Sequence, residues 1–165
     1  MADVFDKVVG QPQVREFLRT SVKTGRVSQS YLFCGPTGSG KTQAAFALAK
    51  ALLCPNSGDD TCEVCSRIGR RKHPDVHFYQ PESANGQYLV EQIRDVVSDV
   101  MLAPIQADKK IYILDRIDRM TDSAANAFLK TLEEPPEDAV IILLAASREG
   151  VLPTIVSRCQ VVPFR

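Results

Sequence analysis

The spacing of apolar positions along the chain changes period several times, and each change marks an element. Val14, Phe17, Leu18 and Val22 recur at helical spacing behind Pro12 and ahead of Gly25, which predicts an amphipathic first helix with a proline in its first turn and a glycine stop. YLFC at 31–34 is continuously apolar and reads as a buried strand, followed by a glycine-rich loop from Gly35 to Thr42 and an Ala/Leu-rich helix from Gln43 to Leu53. Residues 54–72 carry no period and read as an irregular, cysteine-bearing excursion. A short strand is expected at 75–79 (DVHFY), then a helix whose stripe is Leu89, Val90, Ile93, Val96, Val97, Val100 and Met101, stopping before Pro104. IYILD at 111–115 is the next strand, a helix from Thr121 or Asp122 to Glu134 ends at Pro135-Pro136, and AVIILLAA at 139–146 has the pattern of a strand buried on both faces. A last short helix at Leu152–Ser157 leads into a strand at Gln160-Val-Val. Five strands alternating with helices, several of them apolar throughout, predict an α/β fold with a parallel sheet covered on both faces.

Composition narrows this picture. With 165 residues, 44% of them hydrophobic, the chain can bury one sizeable core, and one globular domain is expected. Lys+Arg and Asp+Glu are 20 each, so no net field drives the chain onto nucleic acid or an anionic membrane, and any DNA contact must be local or shared with partners. The longest basic run, Arg70-Arg71-Lys72, is short enough to be a solvated loop. No apolar run reaches the roughly 18 residues of a helical membrane span, and no basic-then-apolar leader stands at the N-terminus; the expectation is a cytoplasmic protein without a membrane partner. Five cysteines is an odd number, and three fall within 54–65, which suits a reducing compartment and a metal site better than a disulfide framework.

The most specific chemistry lies in GPTGSGKT, Gly35 to Thr42, which fits G-x-x-x-x-G-K-[ST] between a predicted strand and a predicted helix. Glycines let the chain curl so that successive backbone N–H groups surround a β-phosphate, and the following helix adds positive potential at its N-terminus. Gly35, Thr37, Gly38, Ser39 and Gly40 are the candidate cradle for ATP or ADP, with Lys41 bridging the β- and γ-phosphates and Thr42 offering its hydroxyl to Mg²⁺. Asp115, at the end of a buried strand, is a candidate partner for that metal, a reading that borrows from the loop, since a strand-end Asp taken alone is more often a helix cap. Cys54, Cys62 and Cys65 form C-x7-C-x2-C, a structural-zinc spacing that lacks one ligand. Cys34 and Cys159 read as small buried residues.

With these residues in hand, VFDKVVGQPQV, YLFCGPTGSGKT, HPDVHFY, VEQIRDV, MTDSAANAFLKTLEEPP and LPTIVSRCQ together resemble one family over nearly the whole chain: the clamp-loader subunits of bacterial DNA polymerase III, within the AAA+ ATPases. The resemblance implies a P-loop NTPase domain spanning 1–165, with a zinc module inserted at about 54–72 and the small lid and the collar lying beyond Arg165. It also implies a hetero-oligomer with γ/τ and delta subunits, acting on a sliding clamp and primer-template DNA.

Within the family, the motor subunits resemble chains with Asp-Glu after the third strand, where the glutamate orients the attacking water. This chain has Asp115-Arg116 there, and with His73-Pro74-Asp75 that aligns it with the delta-prime type. A guanidinium stays charged and cannot accept the water's proton, so weak or absent hydrolysis is expected even with nucleotide bound. Asp118 would share a face with Arg116 if the strand continued that far. The SRC segment, Ser157-Arg158-Cys159, resembles the one by which the family supplies an arginine in trans, which makes Arg158 the candidate catalytic residue. By the same resemblance Val8 and Val9 would line the adenine pocket, Ser147 would stand where a γ-phosphate sensor sits, and Asp59 occupies a position that is cysteine in the family's four-cysteine pattern, with His73 as the other candidate ligand. The rival readings are an active γ/τ-like motor and a P-loop phosphotransferase; the second leaves the SRC segment unexplained.

Overall fold

The computed structural model describes residues 3–165. Its five strands are β1 (Ser30–Cys34), β2 (Val76–Tyr79), β3 (Lys110–Leu114), β4 (Ala139–Ala145) and β5 (Gln160–Pro163), paired in the order β2-β3-β4-β1-β5 with every ladder parallel. Helix α1 (Pro12–Lys23) precedes β1, and the crossovers that parallel neighbours need carry α2 (Lys41–Leu53), α3 (Glu63–Gly69), α4 (Val90–Val100), α5 (Asp122–Glu133) and α6 (Pro153–Val156).

The two-residue period of the strands splits the interior into two cores. Phe33, Ile111, Ile113, Ile142 and Leu144 face α1, α2 and the buried Ile68 of α3, while Leu32, Tyr112, Leu114, Ile141 and Leu143 face α4, α5 and α6. Every residue of β1, β3 and β4 is buried, which is why those runs are apolar without alternation.

The helix limits have local causes. Thr121 caps α5 by accepting from Ala124 N at 3.1 Å, a contact worth about 1 kcal/mol, and Pro135-Pro136 ends it. No basic residue lies in the last turn of α4; Lys110 of β3, 2% exposed, reaches across instead and donates from Nζ to Asp99 O at 2.6 Å and Val100 O at 3.1 Å.

Three local features depart from the sequence expectation. Helix α2 starts at Lys41 rather than Gln43, because Gly40 is already its left-handed N-cap. The 54–72 excursion is not irregular throughout, since it contains α3. Short 3-10 turns form at Val4–Lys7, closed by an Asp3/Asp6 capping box, and at Ile117–Arg119.

Candidate functional site

The loops after β1, β3 and β4 meet at the carboxyl ends of the strands, where an open cleft of about 460 Å³ lies between Thr37–Gln43 on one wall and Asp115–Arg119 on the other, with Ala145 and Ala146 at its base. Two glycines make the loop wall possible. A Cβ on Gly35 would stand 2.6 Å from Phe164 O, so only glycine lets the loop leave β1 this close to the segment after β5. Gly40 has φ +95°, which a side chain would oppose.

Lys41 Nζ folds back onto the loop, donating to Gly35 O at 2.5 Å and Pro36 O at 3.0 Å. Burial holds its ammonium pKa below the ordinary value, and Asp115 and Asp118 act against that. Gln11, 5% exposed, braces the loop from outside: Nε2 donates to Ser39 O at 3.0 Å and Arg165 O at 2.6 Å, and Oε1 accepts from Arg165 N at 3.1 Å.

Across the cleft, β3 ends at Leu114 and Arg116 adopts the left-handed conformation (φ 55°, ψ 47°), its N–H donating to Asp115 Oδ1 at 2.9 Å. The strand therefore does not carry Asp118 onto the face of Arg116. The 3-10 turn brings Asp118 to the cleft wall by another route, together with Arg119. Asp115 caps no α-helix; α5 has its own cap in Thr121. The buried Tyr88 secures this turn, its hydroxyl sharing one proton between Asp115 O at 2.5 Å and Tyr79 O at 3.0 Å and its N–H donating to Arg119 O at 2.9 Å.

Of the expected nucleotide residues, Thr37, Gly38, Gly40, Lys41, Thr42 and Asp115 line the cleft together. Gly35 and Ser39 support it from the loop. Val8 is buried, its Cγ1 3.7 Å from where a Cβ on Gly40 would lie, whereas Val9 is 76% exposed, and neither lines the cleft. Ser147 is also outside it, its Oγ accepting from Gly150 N at 3.3 Å. Gln43 and Arg119 carried no motif signal, and Gln11, although inside VFDKVVGQPQV, was assigned no role; only the polar side chains beside the glycine loop and the strand end could have pointed to them.

A second group lies at the C-terminal end of α2. The ligand atoms of Cys54, Asp59, Cys62 and Cys65 are all within 4.8 Å of one another, with Cys54 Sγ and Cys62 Sγ 3.4 Å apart. Zinc–sulfur bonds of about 2.3 Å in a tetrahedron place sulfurs roughly 3.8 Å apart, so this donor set fits zinc. Asp59 stands in the fourth position. His73 does not; its Nδ1 accepts from Asp75 N at 3.0 Å, away from the thiols. Asp59 is held well below the usual carboxylate range by the amide of Thr61, then by Asn56 and Cys62, so it presents an ionised oxygen to the group. Burial pushes the Cys65 thiol up to about 12; the Cys54 thiol, where burial acts the same way, is brought down on balance by hydrogen bonds from the backbone of Asp59, Asn56 and Gly58. Cys34 is buried, and burial pushes the half-buried Cys159 up to about 12.

Arg158 lies outside this chain's own cleft. Its Nε and Nη2 donate to Glu133 Oε1 at 3.1 and 2.7 Å, and Nη1 donates to Thr154 O at 2.7 Å. The guanidinium therefore rests on the surface against the C-terminal end of α5.

Among known proteins, a family model described as "DNA polymerase III, delta subunit" matches residues 10–165. The chain is 39% identical to DNA polymerase III subunit delta' of Bacillus subtilis over 158 residues, covering 94% of this chain and 47% of that protein. It is 38% identical to subunit tau of the same organism over 165 residues, 98% of this chain and 29% of that one. The chain thus spans less than half the length of these curated relatives. Among solved structures, a gamma subunit-related protein of DNA polymerase III from Thermotoga maritima superimposes with a TM-score of 0.69 at 30% identity, covering 90% of this chain and 45% of that one. The RuvB Holliday junction branch migration motor of the same organism, 16% identical with a TM-score of 0.61 over 96% of this chain and 46% of that one, shares the AAA+ α/β fold. No helix among the described residues is long and apolar enough to cross a membrane.

Proposed function

The chain belongs to the DNA polymerase III delta-subunit family, and from that premise we propose that it is the nucleotide-binding domain of a delta-prime-type clamp-loader subunit. It holds Mg-ATP or Mg-ADP on the Gly35–Thr42 loop with little turnover of its own, and it supplies Arg158 to the nucleotide of a neighbouring γ/τ subunit. The delta subunit, the sliding clamp and primer-template DNA complete the assembly.

One observation carries this reading: Arg116 occupies the place after the strand-end Asp115, inside the cleft, where hydrolysis requires a group that can orient water. Phosphoryl transfer depends on positioning and electrostatics, so replacing an acceptor there by a permanent cation removes the chain's own turnover while leaving the phosphate cradle in place. In trans, a guanidinium that meets charge developing on a transferring phosphoryl group is worth about 10³ to 10⁵ in rate. Arg158 is suited to this because it lies on the surface, outside its own cleft, tethered only by Glu133 and the end of α6. Zinc held by Cys54, Asp59, Cys62 and Cys65 would tie the end of α2 to α3, a structural role.

The near-equal identity to tau and the complete phosphate loop favour one alternative, an active motor subunit. Steady-state ATPase measurements separate the two. The proposal expects the subunit alone to be nearly inactive, and Arg158→Ala to leave assembly intact while lowering the DNA-stimulated ATPase of the complex at least a hundredfold per affected site, a conservative share of that range. Hydrolysis by the isolated subunit at the rate of the complex, or an unaffected complex with Arg158→Ala, would refute it.

A further inference from the structure

We infer that Arg116 is the residue by which the cleft distinguishes a nucleoside triphosphate from a diphosphate. This rests on the nucleotide-binding reading above and adds what that site prefers.

Three cations line the cleft: Lys41, Arg116 and Arg119. Two are engaged within the protein. Lys41 donates to Gly35 O and Pro36 O, and Arg119 to Asn85 O at 3.2 Å and Gly86 O at 3.5 Å. The Arg116 guanidinium alone has no hydrogen bond or ion pair among the described residues, and the residue is exposed. Only its main chain is fixed, by the hydrogen bond to Asp115 and the left-handed turn that Ile117–Arg119 continue.

Three cations face only two carboxylates, Asp115 and Asp118, so the cleft is arranged for an anion. Which part of a nucleotide meets Arg116 follows from the two walls. The backbone amides of the glycine loop would surround the inner phosphates, and Asp115 with Thr42 would hold a metal that neutralises the outer ones. The residue next to Asp115 on that wall is therefore at the outer end of the phosphate chain. A guanidinium presents its donors in a fork that matches two phosphate oxygens, and it stays charged at every accessible pH. A diphosphate leaves that fork empty; a triphosphate fills it. Arg116 then has a positive role beyond the absence of an acid, favouring retention of an intact triphosphate.

Titration calorimetry on the full-length subunit with Mg-ADP and a non-hydrolysable Mg-ATP analogue tests this. The wild type should bind the triphosphate about tenfold more tightly or better, equivalent to about 1.4 kcal/mol. Arg116→Ala should bring the two affinities close together by weakening the triphosphate alone, Arg116→Lys should restore part of the preference, and Lys41→Ala should weaken both nucleotides. Arg116→Gly, which accepts the positive φ without strain, carries the test if the alanine variant folds poorly. Equal affinities in the wild type, or a preference that survives in Arg116→Gly, would overturn the assignment while leaving nucleotide binding standing. No heat with either nucleotide would overturn both.

Discussion

Asp75 offers the sharpest test of how the sheet edge is held. It is fully buried, and its carboxylate accepts three consecutive amides of the loop after α4: Ile105 N on Oδ1 at 2.6 Å, and Gln106 N and Ala107 N on Oδ2, each at 2.7 Å. Asp75→Asn keeps the volume but removes the charge, and its amide does least harm with the oxygen on Gln106 N and Ala107 N and the N–H₂ group facing Ile105 N. Hydrogen bonds to a charged group are worth about 1.5–3 kcal/mol each and neutral ones about 1; one bond is lost and two become neutral. The expected loss is therefore about 3 kcal/mol. Urea unfolding at pH 7 should show this as a midpoint lowered by roughly 1.5 M for a slope of about 2 kcal/mol/M, with the slope unchanged.

The pH dependence has a definite sign. Burial acts to raise the Asp75 carboxyl, but the amides of Ile105, Ala107 and Gln106 outweigh it, and the folded-state pKa is lowered. A carboxylate depressed on folding contributes its stability above the unfolded pKa of about 3.9, and loses it as pH falls through the folded value. The gap between wild type and Asp75→Asn should therefore be full at pH 7 and narrow below about pH 4. A loss under about 1 kcal/mol at pH 7, or a gap that widens in acid, would refute the account.

The four-ligand cluster predicts about one zinc per chain, lost on chelation together with hydrogen-exchange protection of Glu63–Gly69; Asp59→Ala should retain the metal more weakly than wild type, and a chain that purifies metal-free with α3 fully protected would count against it. Lys110→Met removes the ammonium that caps the last carbonyls of α4 and should cost about 2–3 kcal/mol, with faster amide exchange confined to Val100–Leu102; an unchanged exchange profile would show that the ammonium is dispensable.

Element type was legible wherever period and burial agreed. β4 could be read from AVIILLAA because both its faces are covered, and α5 because Thr121 and Pro135 bracket it. Two features were not legible for physical reasons. The 3-10 turn at Ile117–Arg119 depends on Arg116 adopting a positive φ, which no side-chain pattern announces in a residue other than glycine. Helix α3 is seven residues long, too short for a period to emerge, and it is organised by the thiol cluster at its N-terminus. The phosphate loop was plain because its chemistry is local in sequence, whereas Gln11 braces that loop and Arg119 lines the cleft through tertiary contacts. His73-Pro74-Asp75, which the resemblance treated as a mark of subunit type, has a mechanical role here: His73 holds the main chain of Asp75, and three amides hold its buried carboxylate under the loop that carries the exposed Met101, Leu102 and Ile105.

The contact between Gln11 and Arg165 also bears on the order in which the fold is completed. It closes a loop of 154 residues, and the same glutamine holds Ser39 of the phosphate loop, while Gly35 sits against Phe164. Closing so long a loop is entropically costly and comes late compared with the local helices. During synthesis, β1 and α2 leave the ribosome more than a hundred residues before the segment that completes their junction. The nascent chain can therefore build its helices and much of its sheet while the anion cradle is still open on one side. The glycine loop gains its last supports, Gln11 braced by Arg165 and Phe164 against Gly35, only when β5 docks along β1.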